Sequence, residues 1–282
     1  MATTPLPHPP ATFRPDRFEL IQKVGELAPV QLAPGILFDC LIGQHNGARN
    51  LTTGELYLSA NTQLGFHSLP VGESITLISG AATISAEGRE YPLAPLDNIT
   101  IPRGLPHAIY NGSRVEPARL HRAIACASPV HEWVSIGFES GLMSAISAGV
   151  PGKEHVTRFN SAPRSEAGPG TSFIDHFNQD LIPGFEMSGG YGLFSHGGRL
   201  PAHFHDFDES ICIIQGTATC IVEGRRYQMS DGSTALQPRG RVHYFINDCE
   251  EPMAMLWVYA GPLPQRIVAD DRCATAEGNP WK

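Results

Sequence analysis

The chain has few charges, no cluster of basic residues and no long apolar run. Of its 282 residues only 17% are charged, and 20 Lys and Arg against 28 Asp and Glu leave a formal net charge of −8. A surface that would hold nucleic acid or anionic lipid through phosphate contacts is therefore not expected. No stretch of about 18 apolar residues is present to span a bilayer, and the opening segment "MATTPLPHPPATFRPDRF" lacks the apolar core of a secretory signal. A cytoplasmic protein with small-molecule partners, and without nucleic-acid or membrane partners, is the expectation. Cysteine is scarce as well: Cys40, Cys126, Cys212, Cys220, Cys249 and Cys273 make no Cys-x-x-Cys pair. That excludes a disulfide scaffold at this length and leaves buried thiols.

What the chain has in plenty is Gly and Pro, 29 and 24 residues scattered between short apolar runs. Such punctuation rules out long helices and points to an all-β chain with many tight turns. The Pro-rich residues 1–15 read as a flexible arm, since that composition buries too little surface to order itself.

The sequence repeats itself. "AEGREYPL" at 86 recurs as "VEGRRYQM" at 222, an offset of 136, and the same offset carries Gly54 to Gly190, Glu73 to Glu209, Gly80 to Gly216, Pro102 to Pro238, Gly104 to Gly240, His107 to His243 and Asn111 to Asn247. A duplicated β-domain follows, residues 16–150 and 151–282, joined by "HEWVSIGFESGLMSAISAGVPGKEH", whose middle suits a short helix. Within each half, runs such as "SITLISG" and "NITIPRG", or "SICIIQG" and "STALQPRG", alternate with Gly, Pro and Asp turns. Strands this short and evenly spaced make a sandwich or barrel. "AEGREY" and "VEGRRY" read as hairpin turns.

The second half carries chemistry. In "AHFHDFDESICIIQG" (202–216), His203 and His205 share strand parity and face one side, with Phe204 on the other. Glu209 follows a short turn, and His243 lies on a later strand after the bend "PRGR". Three imidazoles and a carboxylate would chelate a divalent transition metal, Fe, Mn, Ni, Cu or Zn, leaving positions open for substrate or water. A lone strand histidine is most often a hydrogen-bonded structural residue; four such groups together are not so easily explained.

These residues resemble the cupin superfamily. Its first motif, Gly-x5-His-x-His-x3-Glu-x6-Gly, is met by Gly197, His203, His205, Glu209 and Gly216. Its second, Gly-x5-Pro-x-Gly-x2-His-x3-Asn, is met by Gly232, Pro238, Gly240, His243 and Asn247. The recurrence of these landmarks one repeat earlier makes the chain similar to bicupins, two tandem jelly-roll β-barrels in one chain. The resemblance implies that His203, His205, Glu209 and His243 ligate one divalent metal. The first half departs from the pattern: its equivalents are His67, Leu69, Glu73 and His107, so one histidine is replaced by an apolar side chain. A degenerate barrel kept for packing, or a two-His, one-carboxylate site, are both open there.

Other residues are candidates by parity. Arg199, four residues before His203, would face inward on a regular strand and clamp a substrate carboxylate. Phe245 and Asn247 share parity with His243, and Trp257 and Tyr259 alternate on a late strand, which makes these four candidate pocket walls, although core packing explains such aromatics equally well. The resemblance implies a metal-dependent enzyme acting on a small carboxylate- or carbonyl-bearing molecule, with a dioxygenase placed first. Mn-dependent decarboxylases, isomerases and aminohydrolases, and a non-catalytic ligand-binding cupin, are the alternatives. Unpaired edge strands add the expectation of a homodimer.

Overall fold

A computed structural model of the protein describes residue 11 and residues 13–134 and 152–274. The expected linker helix falls on residues 135–151, outside the described residues. Among the described residues the only helices are single 3-10 turns at Gln44–Asn46 and Asp271–Ala274, and every other element is a strand. Pairing is antiparallel throughout the assigned ladders, as short strands joined by tight turns require.

The chain divides into two compact units. The N-terminal unit, Val24–Ala162 with His176–Met187, carries two facing sheets. The larger runs in the order His155–Thr157, Asn98–Ile101, Glu73–Ser79, Ala118–Ile124, Thr52–Leu58, Ile36–Ile42 and Val30–Ala33. The smaller runs Glu132–Trp133, Thr62–Ser68, His107–Asn111, Ala82–Ala86 and Arg89–Leu93. Between them lies an aliphatic core that includes Ile36, Leu56, Ile75, Leu77, Ile84 and Leu120.

The C-terminal unit, formed by the N-terminal segment through Lys23, Pro163–Asp175 and Ser188 onward, repeats the plan. One sheet runs Leu20–Lys23, Ser233–Gln237, Glu209–Gln215, Met253–Tyr259, Ser188–Phe194 and Thr171–Phe177; the other runs Arg225–Ser230, Thr217–Val222, His243–Ile246, His203–Phe204 and Ile267–Val268. Its core is aromatic where the other is aliphatic, with Phe173, Phe194, Phe245, Trp257 and Tyr259 packed on Ile211 and Met255.

The repeated landmarks have structural causes. Ala86 pairs with Arg89 and Val222 with Arg225, so each "EG" is a two-residue hairpin loop. Both loop residues have positive φ, +46° and +78° at Glu87 and Gly88 and +48° and +87° at Glu223 and Gly224, the twist that suits flanking strands. Gly216, at φ +70°, has no room for a side chain either: a Cβ there would stand 2.5 Å from the Pro252 carbonyl oxygen. Asn111 and Asn247 each hold a loop through their amide, Asn247 donating to the Phe194 and Glu251 carbonyls at 3.0 and 2.9 Å and accepting from the Cys249 N–H at 3.0 Å.

The edge strands are exchanged relative to the linear duplication. Leu20–Lys23 pairs with Ser233–Gln237, and so residues 16–23, which the repeat alone would assign to the first barrel, close a sheet of the second. His155–Thr157, beyond the boundary expected near residue 150, pairs with Asn98–Ile101 of the first. A carboxylate precedes each edge strand and anchors it to the equivalent hairpin. Glu19 accepts from Arg225 Nη2 and from the Tyr227 hydroxyl, both at 2.7 Å, and Glu154 accepts from Arg89 Nη2 at 3.0 Å and from Tyr91. Arg17 adds an ion pair to the buried Asp208 at 2.9 Å, and Arg241 donates to the Arg17 and Pro15 carbonyls at 2.7 and 2.6 Å.

Burial would raise the Glu19 carboxyl, but Arg225 and Tyr227 outweigh it and hold its pKa below the usual value. A depressed carboxyl pKa contributes stability that is fully present above the unfolded value and is lost as pH falls through the folded one. Glu19→Gln is therefore expected to destabilise the chain by about 1–3 kcal/mol at neutral pH. In chemical denaturation the gap from wild type should shrink as pH drops below the ordinary carboxyl range. A pH-independent gap would mean that the anchor does not work through its charge.

Candidate metal centre

His203, His205, Glu209 and His243 each offer a ligand atom, and these atoms lie within 4.8 Å of one another. The sheet register brings them together. His203 sits directly opposite His243, and Glu209 opens the strand that pairs with Met253–Tyr259, facing Tyr259 on one side and Gln237 on the other. All four are buried, between 1% and 2% exposed.

Each imidazole is held from behind. His203 Nδ1 lies 2.8 Å from the Pro201 carbonyl oxygen, His205 Nδ1 2.7 Å from that of Gln265, and His243 Nδ1 2.9 Å from that of Arg241. A carbonyl oxygen only accepts, so each Nδ1 must carry the proton and donate, which leaves every Nε2 with a bare lone pair in the neutral ring. Those lone pairs converge on Glu209: its Oε2 is 2.8 Å from His243 Nε2 and 3.3 Å from His205 Nε2. Among the described residues none of these three atoms has a hydrogen-bond partner.

Acceptors facing one another at that distance repel, and burial removes the water that would relieve them. A cation placed among them resolves the conflict. Burial, reinforced by His243 and His205, drives the His203 pKa well below its usual value and keeps that ring neutral. Burial alone would raise the Glu209 carboxyl, yet His205 and His243 outweigh it and hold it well below the carboxylate range, which calls for positive charge on their side of the contact, the part a bound cation would play. Imidazoles that turn Nε2 toward a carboxylate, each fixed through Nδ1, are the arrangement in which these groups bind metal, and the chain thus carries a His and Glu set suited to a divalent transition ion.

The residues expected by parity divide. Phe245 is fully buried in the barrel core, its ring 6.3 Å from that of His243. The Tyr259 ring lies 4.4 Å from that of His205 and the Trp257 ring 4.9 Å from that of Tyr259, both tilted, with the indole N–H buried and without a partner among the described residues. Phe207, which the parity argument passed over, lies parallel to His205 at 5.3 Å. Asn247 must be corrected as a substrate ligand, because its amide is spent on the loop contacts described above.

Arg199 must be corrected too. Its guanidinium pairs with Asp271 and lies 4.6 Å over the Tyr244 ring, half-exposed. The assigned strand begins only at His203, after Gly197 at φ +73° and after Pro201, so the parity count back to Arg199 fails. Leu200 is the side chain buried there.

A different guanidinium stands near the site. Arg266 follows Gln265, whose carbonyl orients His205, and lies 5.5 Å over the Phe173 ring. It acts electrostatically on Tyr259 and Asp175 and has no hydrogen bond or ion pair among the described residues. No spacing rule pointed to it, since "PLPQR" is a loop that reaches the centre only through the fold.

Residues 191–259, which include the whole ligand set, match the Cupin domain family model. Among solved structures the chain is similar to Lactobacillus farciminis oxalate decarboxylase in its formate complex, at 16% identity and a TM-score of 0.69, covering 88% of each chain. It is similar to Bacillus subtilis oxalate decarboxylase, from a study of that enzyme's Mn(II) centres, at 15% identity and a TM-score of 0.67 over 88% of this chain and 78% of that one. AerE from Microcystis aeruginosa matches at 13% identity and a TM-score of 0.61 over 82% of this chain and 95% of that one. A curated relative, Endoribonuclease YbeY of Myxococcus xanthus, is 42% identical over 48 residues, so the chain spans 16% of that protein's length. These likenesses show a bicupin fold, with the Cupin domain match itself confined to residues 191–259.

Proposed function

We propose that the chain is a divalent-metal-dependent enzyme that acts on a small carboxylate-bearing molecule without net oxidation, a lyase of the decarboxylase kind. His203, His205, Glu209 and His243 would hold the ion, and Mn(II) is the favoured one. The observation that carries this reading is the convergence of bare lone pairs on Glu209. The similarity to oxalate decarboxylases over 88% of the chain supports the substrate class and the ion. When bound, such an ion supplies Lewis acidity for a carboxylate oxygen.

The chain's own residues supply the rest. Arg266, a half-buried guanidinium without an ion-pair partner among the described residues, is suited to take a substrate carboxylate in a forked pair. Burial and the Glu209 carboxylate push the Tyr259 hydroxyl well above its ordinary pKa. It stays protonated and serves as a hydrogen-bond donor beside Glu209. Phe207, Trp257 and Phe245 keep the wall apolar, which strengthens each polar contact made inside.

A dioxygenase, the first expectation from the motif, rests on a complete ligand set with open positions and on that apolar aromatic wall. The two readings differ in oxygen stoichiometry. With short mono- and dicarboxylates as probes, CO2 release without matching O2 uptake is expected, whereas equimolar O2 consumption would sink the non-oxidative reading. His243→Ala should lose more metal affinity than the about 10–100-fold that changes behind a ligand cost, seen by elemental analysis and as lost turnover. Arg266→Ala should raise KM for the carboxylate at least about tenfold, the loss of one charge-assisted contact, with metal content unchanged.

Metal should also report on stability. At free Mn(II) a thousandfold above Kd, linkage adds about 4 kcal/mol, so the melting temperature should rise and a chelator should reverse it. An unmoved melting temperature in Mn(II), Fe(II), Co(II), Ni(II) and Zn(II) would leave the converging lone pairs without their ion. Metal affinity should fall with falling pH, since protons compete for the same Nε2 atoms.

A further inference from the structure

The N-terminal unit gathers a second group, His67, Glu73 and His107, with ligand atoms also within 4.8 Å of one another. Its imidazoles are held in the same way, His67 Nδ1 to the Gly65 carbonyl at 2.9 Å and His107 Nδ1 to that of Leu105 at 3.0 Å. The backbone frame agrees as well, for the Gly104 N–H donates to the Leu69 carbonyl at 2.7 Å as the Gly240 N–H donates to that of His205 at 2.8 Å. By geometry of the frame alone this is a second metal centre.

Besides Leu69, which stands in the place of His205, its interior differs at a second side chain beside the ligands. Arg122 pairs across the sheet with Ile75, the place that Trp257 occupies opposite Ile211 in the other unit. The guanidinium is fully buried. Its Nε donates to Glu73 Oε1, and its Nη2 lies 3.4 Å from His67 Nε2, the lone pair that an ion would need. Burial would raise the Glu73 carboxyl, but Arg122 and His107 outweigh it and hold the group ionised. The one carboxylate of the set is thus already neutralised, and a dication would have to enter beside a buried cation.

We propose that Arg122 takes the place of the metal in the N-terminal barrel. The guanidinium supplies the positive charge between Glu73 and His67, so this barrel excludes a divalent cation and the chain holds a single ion. Leu69 accounts for one missing ligand and Arg122 engages two of the remaining three, Glu73 and His67, leaving His107 Nε2 3.1 Å from Glu73 Oε2.

The test is metal stoichiometry by elemental analysis after loading with Mn(II), on wild type, His243→Ala, and His243→Ala carrying Leu69→His and Arg122→Trp. No more than a single equivalent in wild type, none in His243→Ala and a regained equivalent in the triple variant are expected. A second equivalent in wild type, or metal kept by His243→Ala and lost from His67→Ala, would overturn the proposal. So would a triple variant that is folded by circular dichroism yet takes no metal. If that variant does not fold, the wild-type and single-variant counts decide. Failure of the C-terminal centre is read separately: wild type without metal rejects the proposed function, and the triple variant still tests Arg122.

Discussion

The C-terminal barrel is organised by one constraint: three buried imidazoles must each donate an Nδ1–H hydrogen bond to a backbone carbonyl. Once Pro201, Gln265 and Arg241 accept those hydrogen bonds, each Nε2 is left bare and aimed inward, where Glu209 is fixed by its register against Tyr259 and Gln237. Two of the three carbonyls lie two residues before their own histidine and follow from local chain geometry. The third, at Gln265, belongs to the loop after the last long strand, so the position of His205 depends on the whole barrel being closed.

The same constraint explains why the neighbourhood of Glu209 is so heavily tied down. Asp208 beside it takes ion pairs from Arg17 at 2.9 Å and Arg239 at 3.3 Å, and the Ala260 N–H donates to its carbonyl at 2.9 Å. Arg17 belongs to the segment that ends in the edge strand Leu20–Lys23. A carboxylate facing bare lone pairs would swing away if its turn were free. The N-terminal segment thus reaches the turn before Glu209 through Arg17, two residues ahead of the Glu19 anchor and its edge strand.

Much of this was legible in the sequence, and the reason is periodicity. Strand parity places His203 with His205, and an offset of 136 preserved without a gap from Gly54 to Asn111 ties each landmark to its partner. The parts that were not legible depend on departures from regular geometry or on long-range pairing. Arg199 fails because the chain is irregular between Gly197 and His203. Asn247 fails because parity does not reveal that its amide is consumed by a loop. The edge strands were misassigned by the repeat because hydrogen bonding, not chain order, decides which sheet a strand completes.

Arg122 is the instructive case. In the sequence "ARLHRAIAC" it reads as one more charged residue on an alternating strand, and the equivalence to Trp257 appears only when both strands are paired with their neighbours. The chemistry then follows from a choice that any barrel of this kind faces. A buried carboxylate beside bare imidazoles needs a positive charge, and it can be recruited from solution or built into the chain. A recruited ion leaves open coordination positions and therefore chemistry; a guanidinium offers only N–H donors and no coordination position. After duplication, a guanidinium at 122 together with Leu69 in a ligand position would turn one copy of a metal centre into a packed core, while the other copy keeps its lone pairs free.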